Sequence, residues 1–406
     1  MVPPRRGRME AVERSAPVTT LELFFDLVFV FALTQVTAWM AKGVGAPTTE
    51  NVVRGVLIVV ILWWSWVGFA WLCNVVKADE GAVRVGMFLA MAVMFVAALT
   101  IPEAFVDIPG GLYGPAVFAA CYFAARVVHI GMFWLASRED PQLRSQLVRF
   151  AVPTAWGTIM LLVAAQTEGT TQTVLWAVAL LGDLAGTRVS GNQWRIHSPT
   201  QFAERHGLII IVALGESIVS IGVGVVNLPI SWPIIAASAL GLAVVGALWW
   251  AYFDVTALVT ERAFAAAEGE ERIRIARGGY TFLHLPMMIG IILLALGLKK
   301  AMNYIAGDSG HHLSDPLYGV SLIALLGGTV LYLAGHAGFL RYVAGQVSPV
   351  RLVTIAVLVA LLPVAWFLPA IVTLALLAAV LCTMIAYEAH RYAEARHTVR
   401  HEEHEG

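Results

Sequence analysis

Long apolar runs alternate along the chain with short stretches that hold most of its charge. A helix needs about 20 predominantly apolar residues to cross the ~30 Å hydrocarbon core of a bilayer. Runs of that kind, bounded by charge or by Pro and Gly, fall at 20–41, 52–73, 83–102, 113–136, 147–166, 171–188, 204–226, 231–257, 279–299, 316–342, 351–368 and 369–389. The pattern predicts an all-α integral membrane protein of about twelve transmembrane helices. Residues 1–18 form a polar tail, 19–390 a single polytopic domain and 391–406 a second polar tail. Pro363 and Pro369 mark either a turn or a kink, so the closing pair is two helices or one kinked hairpin.

Composition points the same way. The chain is 59% hydrophobic and only 13% charged, against about 25% charged in a soluble domain. A formal net charge of −1 offers no footprint for nucleic acid, and the predicted partner is the lipid bilayer. Cys73, Cys121 and Cys382 lie far apart in apolar runs, which argues against a disulfide framework or a zinc knuckle. The basic start leads into a first run that carries Glu22 and Asp26 and lacks a small-residue cleavage site. It reads as a retained helix rather than a signal peptide.

Charge also orients the spans. With the amino terminus in the cytoplasm, 21 of the 26 Lys and Arg fall in inside segments. Four fall outside (Lys42, Arg54, Lys299 and Lys300), and Arg126 lies within a span. The positive-inside rule then places both termini in the cytoplasm and the protein in the cell (inner) membrane.

The two halves, about 19–190 and 201–390, echo each other. Glu22 and Glu204 each open a half; Leu62-Trp63-Trp64-x-Trp66 matches Leu248-Trp249-Trp250-x-Tyr252. Further on, Arg84-x-x-Met87 matches Arg277-x-x-Tyr280, and Tyr122-x-Ala124-Ala125-Arg126 matches Tyr332-x-Ala334-Gly335-His336. Six spans is an even number, so the expectation is two parallel six-helix pseudo-repeats. The tryptophans of these motifs read as packing residues or interface anchors. Gly182-x3-Gly186 and Ser220-x3-Gly224 would permit close helix approach.

Ionisable residues inside the spans carry the candidate chemistry. The candidates are Glu22, Asp26, Arg126, His129, Asp183, Glu204, Glu216, Asp254, His284 and His336. Glu22 and Asp26 share one helical face at i, i+4. Asp26, Arg126, Asp183 and Glu216 alone would cost about 10–14 kcal/mol if inserted unpaired. Mutual pairing or a water-filled cavity is therefore expected. One reading is structural, an Arg126–carboxylate pair that fixes packing, with Asp26, Glu216 or Asp183 as the partner. The other is a pathway for an ion, a proton or a small polar solute. Each histidine alone reads as a hydrogen-bonded packing residue, and a metal site would require two or three of His129, His284 and His336 to converge with a carboxylate. His397-x3-His401-x2-His404 sits in a solvated acidic tail. No HExxH, P-loop, GxGxxG or nucleophile elbow is present, so no catalytic residue and no cofactor is assigned and the balance is against an enzyme.

The string ELFFDLVFVFALTQ (residues 22–35) resembles the signature of the bacterial low temperature requirement protein A family. Glu204-Arg205-His206-Gly207 followed by Leu214-Gly215-Glu216-Ser217 resembles that family's second signature. Ile101-Pro102-Glu103-Ala104-Phe105 and the Arg126/His129 pair agree with it as well. His206 departs, standing where the family more often has an aromatic such as Phe, and Cys73-Asn74 keeps the aromatic-then-polar pattern only in outline. The resemblance spans essentially the whole chain. It implies a polytopic bacterial membrane protein linked by name to growth in the cold, and supplies no substrate. Three functions follow as expectations: a transporter or channel; a membrane-embedded enzyme or lipid-interacting protein that adapts the bilayer to cold; or a structural or sensory component.

Overall fold

A computed structural model of the chain describes residues 17–43, 47–138, 140–189, 194–226 and 228–391. The helices stand where the apolar runs predicted them. They are α1 (Thr20–Met40), α2 (Thr49–Cys73), α3 (Gly81–Leu99), α4 (Gly114–Ala136), α5 (Pro141–Ala164), α6 (Gly169–Val189) and α7 (Pro199–Val223). After these come α8 (Trp232–Phe253), α9 (Thr256–Ala266), α10 (Gly269–Arg274), α11 (Leu283–Ile305), α12 (Gly319–Leu322), α13 (Gly328–Ala344), α14 (Pro349–Ala365) and α15 (Ala370–Arg391). Wider π turns, Ile275–Phe282 and Ile323–Gly327, fuse α10 to α11 and α12 to α13.

Ten of the resulting rods are long and apolar enough to cross a membrane, among the described residues. The other two predicted spans are α6, diluted by Gln172, Asp183 and four threonines, and α14, which has only 17 residues. Pro369 marks the turn between α14 and α15, whereas Pro363 lies inside α14, so the closing pair is two helices.

Chain packing divides the protein into two units. The first holds the chain through Trp39, Val53–Arg205 and Gly269–Ile273. The second holds Met40–Val52, His206–Glu268 and the chain from Arg274 on.

In the first unit α5 packs on α6 and α3 on α4. Gly182 faces the Trp156 ring and Gly186 the Pro153 ring, so the small-residue spacing read in the sequence seats α6 against α5. One end of this unit is filled by Trp39, Phe105, Phe118 and Trp176, with the Arg54 guanidinium over Phe105. Another aromatic group gathers Trp71, Phe133 and Phe150 around Trp194, with Phe202 against Trp71.

In the second unit α11 lies centrally, packed by α13, α8 and α15. Gly290 and Gly328 let the backbones of α11 and α13 approach each other directly, and Gly297 does the same for α11 and the π turn at Leu325. The rod that starts at Trp232 breaks after Asp254, where Val255 leaves helical geometry, and resumes as α9.

Candidate functional site

The first turn of α1 is a capping box. Glu22 N–H donates to Thr19 Oγ1 at 3.3 Å, and Glu22 Oε2 accepts from the Thr19 backbone N–H at 2.8 Å. That fixes one carboxylate oxygen and leaves Oε1 to the interior. There it accepts from Arg205 Nη1 at 3.2 Å and from Gln201 Nε2 at 2.9 Å. One turn on, Asp26 Oδ1 accepts from Arg205 Nη2 at 3.0 Å and from Trp66 Nε1 at 2.7 Å. The guanidinium also lies over the Trp66 ring at 5.4 Å. Glu22, Asp26 and Arg205 are 0%, 2% and 1% exposed. Asp26 and Arg205 each lie six residues inside their helix, about 9 Å from its start at 1.5 Å per residue.

A supporting set of hydrogen bonds orients this triad. Asn74, just past α2, donates to Ser198 O at 2.7 Å and to Gln201 Oε1 at 2.9 Å. Its own Oδ1 accepts from His197 N–H at 2.8 Å. Gln201 is thereby held with its amide nitrogen toward Glu22 and the Cys73 carbonyl.

A second charged layer lies farther along the same unit. Arg126 Nη2 stands 3.8 Å from Asp183 Oδ1 and donates to Thr154 Oγ1 at 3.2 Å. Of the three carboxylates considered for Arg126, Asp183 is the one it faces, with Tyr122 O–H donating to the other Asp183 oxygen. Arg126 and Asp183 are both buried. His129, one turn along α4, donates from Nε2 to Gly68 O at 2.9 Å. A carbonyl can only accept, so Nε2 carries the proton. Gly68 gives the ring room, since a Cβ there would stand 3.1 Å from that nitrogen and the imidazole would have to shift by a few tenths of an ångström. Trp66 and Gly68, two residues apart on α2, thus serve the two layers.

The remaining candidates lie elsewhere. Glu204 is exposed and accepts from Val18 N–H at 3.2 Å. In the second unit Glu216 is buried and accepts from Ser220 Oγ at 3.0 Å. His284 donates from Nδ1 to Gly279 O at 3.2 Å and accepts at Nε2 from Tyr252 O–H at 2.9 Å. The His206 ring packs edge-on against Tyr280 and His284, filling an aromatic's place. His336 Nδ1 accepts from Arg351 Nη1 at 2.6 Å. Arg351 clasps Glu388 with two bonds, of 2.9 and 3.1 Å, and caps the carbonyl of Ala251 at the α8 break. Asp254 lines a cleft of about 300 Å³ beside Arg351, Glu388 and Trp250.

Several buried polar groups escape the sequence reading. Arg205 and Arg351 count there as charges at the cytoplasmic ends of spans, yet both are buried ion-pair partners. Of the tryptophans read as packing residues or interface anchors, Trp63, Trp64 and Trp66 are buried and Trp249 and Trp250 are exposed. A signal for Arg205 exists: Gln201 and Arg205 sit at i, i+4, the same spacing as Glu22 and Asp26. Among the described residues no three His, Cys, Asp or Glu converge on a metal position. His397, His401 and His404 lie outside those residues.

The family model of the bacterial low temperature requirement A protein (LtrA) matches residues 17–386. An uncharacterized protein of Rhizobium meliloti (strain 1021) is 30% identical over 346 residues, covering 81% of this chain and 78% of that protein. No solved structure matches. The match takes in both strings that hold the buried triad, Glu22 and Asp26 in one and Arg205 in the other, and the chain belongs to the bacterial low temperature requirement A family.

Proposed function

We propose that the protein is a transporter or channel, moving an ion, a proton or a small polar solute through an interior lined by intramembrane Asp, Glu, Arg and His. One observation carries this reading: two buried charged layers, Glu22–Asp26–Arg205 and Arg126–Asp183, lie in one unit and are bridged along α2. Apolar packing alone needs neither layer, and each ionised group within a membrane costs about 2.5–3.5 kcal/mol. Chains of carboxylate, His and Arg in that setting mark ion and proton pathways.

The proposed setting is the cell (inner) membrane with both termini in the cytoplasm, supported by the 21-to-4 distribution of Lys and Arg. A duplicated six-helix unit is the proposed origin. In support, the corresponding pairs Tyr122/Arg126 on α4 and Tyr332/His336 on α13 are all buried. Arg126 reaches a carboxylate of α6, while His336 reaches Arg351 of α14, itself held by Glu388 of α15.

The test is a flux screen in proteoliposomes over protons, common ions and small metabolites. At least one species is expected to cross faster than through protein-free vesicles. Asp183→Asn is expected to slow it about tenfold or more, equivalent to about 1.4 kcal/mol on the barrier. Absence of protein-dependent flux for every species would retire the proposal. A second reading, a membrane-embedded enzyme or lipid-interacting protein, draws on the ~300 Å³ cleft where Asp254, Glu388 and Arg351 meet, a size at the small end of ligand sites. Lipid that copurifies with the protein and is lost in a cleft variant, without flux, would favour it.

A further inference from the structure

The triad of α1 and α7 is not balanced in charge. One guanidinium, Arg205, faces two carboxylates, Glu22 at 3.2 Å and Asp26 at 3.0 Å. Among the described residues, the other groups hydrogen-bonded within the triad are neutral: Thr19, Trp66, Gln201 and the Cys73 carbonyl. Three of the four carboxylate oxygens are committed. Glu22 Oε2 serves the helix cap, Glu22 Oε1 serves Arg205 and Gln201, and Asp26 Oδ1 serves Arg205 and Trp66. The fourth, Asp26 Oδ2, is buried with no hydrogen-bond partner among the described residues. An excess negative charge and an open acceptor therefore coincide on one atom, in a group 2% exposed.

We infer that Asp26 Oδ2 is an exchangeable proton-binding site, with Arg205 as its fixed counter-ion and Trp66 as its positioning residue. The inference deepens the transport reading and rests on it for its physiological meaning, since it names the proton as a transported or coupled species. Binding forms an O–H bond on Oδ2 with a proton drawn from water. It leaves the bonds from Arg205 and Trp66 to Oδ1 in place. The triad then passes from a net charge of −1 to neutral, and release restores the charge. A metal cation fits this atom less well. Hard cations shed water only for several oxygen ligands, and a single open oxygen is offered. Asp26 lies six residues into α1, about 9 Å along the helix from its start.

The test is infrared spectroscopy of the whole protein in lipid, which reads a protonated carboxyl by its C=O stretch and the shift of that band in D₂O. Such a band is expected in the wild type, lost in Asp26→Asn and retained in Glu22→Gln. Retention of the full band in Asp26→Asn overturns the inference, and so does its removal by sodium at constant pH. If Asp26→Asn fails to fold, ¹³C-aspartate labelling of Asp183→Asn, in which Asp26 is the one buried aspartate among the described residues, decides instead. The band must shift with that label, and an unshifted band overturns the site. The two readings fail separately. An Asp26 band with no protein-dependent flux of any species upholds the site and defeats transport, whereas proton flux with no Asp26 band overturns the site and upholds transport.

Discussion

Arg126 lies ten residues from the end of α4, about 15 Å from it, too deep for its side chain to snorkel freely to water. Its charge persists under ordinary conditions, and Asp183 is the carboxylate that meets it. Removing one partner of a buried pair typically costs about 3–5 kcal/mol, whereas replacing both with apolar groups is often neutral. Arg126→Ala is therefore expected to lower thermal stability in detergent by about that amount. Arg341→Ala, at an exposed position near the end of α13, should change it by less than about 0.5 kcal/mol. The double variant Arg126→Met/Asp183→Leu should recover most of the loss. Recovered stability with lost flux assigns the pair to a pathway, and recovery of both assigns it to packing. Part of this was legible early: a mid-span arginine demands a carboxylate whatever the fold. Which carboxylate was not legible, because Asp183 lies 57 positions away along the chain and only helix packing selects it.

At the scale of elements, the contact of α11 with α13 and the π turn at Leu325 is set by what is missing from its surface. A Cβ on Gly290 would stand 2.6 Å from the Tyr332 backbone nitrogen, and one on Gly297 would stand 2.4 Å from Leu325 Cα. Backbone cannot yield as a flexible side chain would, so the helices would have to separate. Gly290→Ala is expected to destabilise the protein by about 1–3 kcal/mol, the range for overpacking. Gly246→Ala in α8, where a Cβ meets nothing within 4 Å, should be neutral or slightly stabilising, since Ala is the better helix former. Equal melting temperatures for the two variants would contradict the packing account. Spacing picks out Gly182 and Gly186, and they do meet α5. It gives no weight to Gly290 and Gly328, whose partner helices are defined only once the chain has folded. The α8 break after Asp254 is likewise invisible in the apolar pattern. It is marked by Arg351, distant in sequence, which caps the carbonyl left at Ala251.

For the whole molecule, the distribution of Lys and Arg makes a prediction about sidedness. Cysteines placed at Gly43 and His312 should be labelled by a membrane-impermeant reagent in intact cells, and those at Gln142 and Glu270 should be protected. Labelling of Gln142→Cys from outside would reverse the proposed orientation. The positions chosen are in connecting segments or at helix starts, and His312, Gln142 and Glu270 are exposed, so protection would reflect the membrane rather than burial. The helical membrane class, the location of the apolar runs and the shared face of Glu22 and Asp26 can all be read from the order of residues. All of these depend on local quantities: length, apolarity and the 3.6-residue period. Tertiary structure alone decided that Arg205 and Arg351 are interior counter-ions rather than charges at the membrane edge. It also decided that Trp66 is a hydrogen-bond donor and that Asp26 Oδ2 is left open. Arg205 and its carboxylates are 179 and 183 positions apart, so no local pattern links them. In a medium that penalises every unmatched charge, the approach of helices remote in sequence determines which charges are matched.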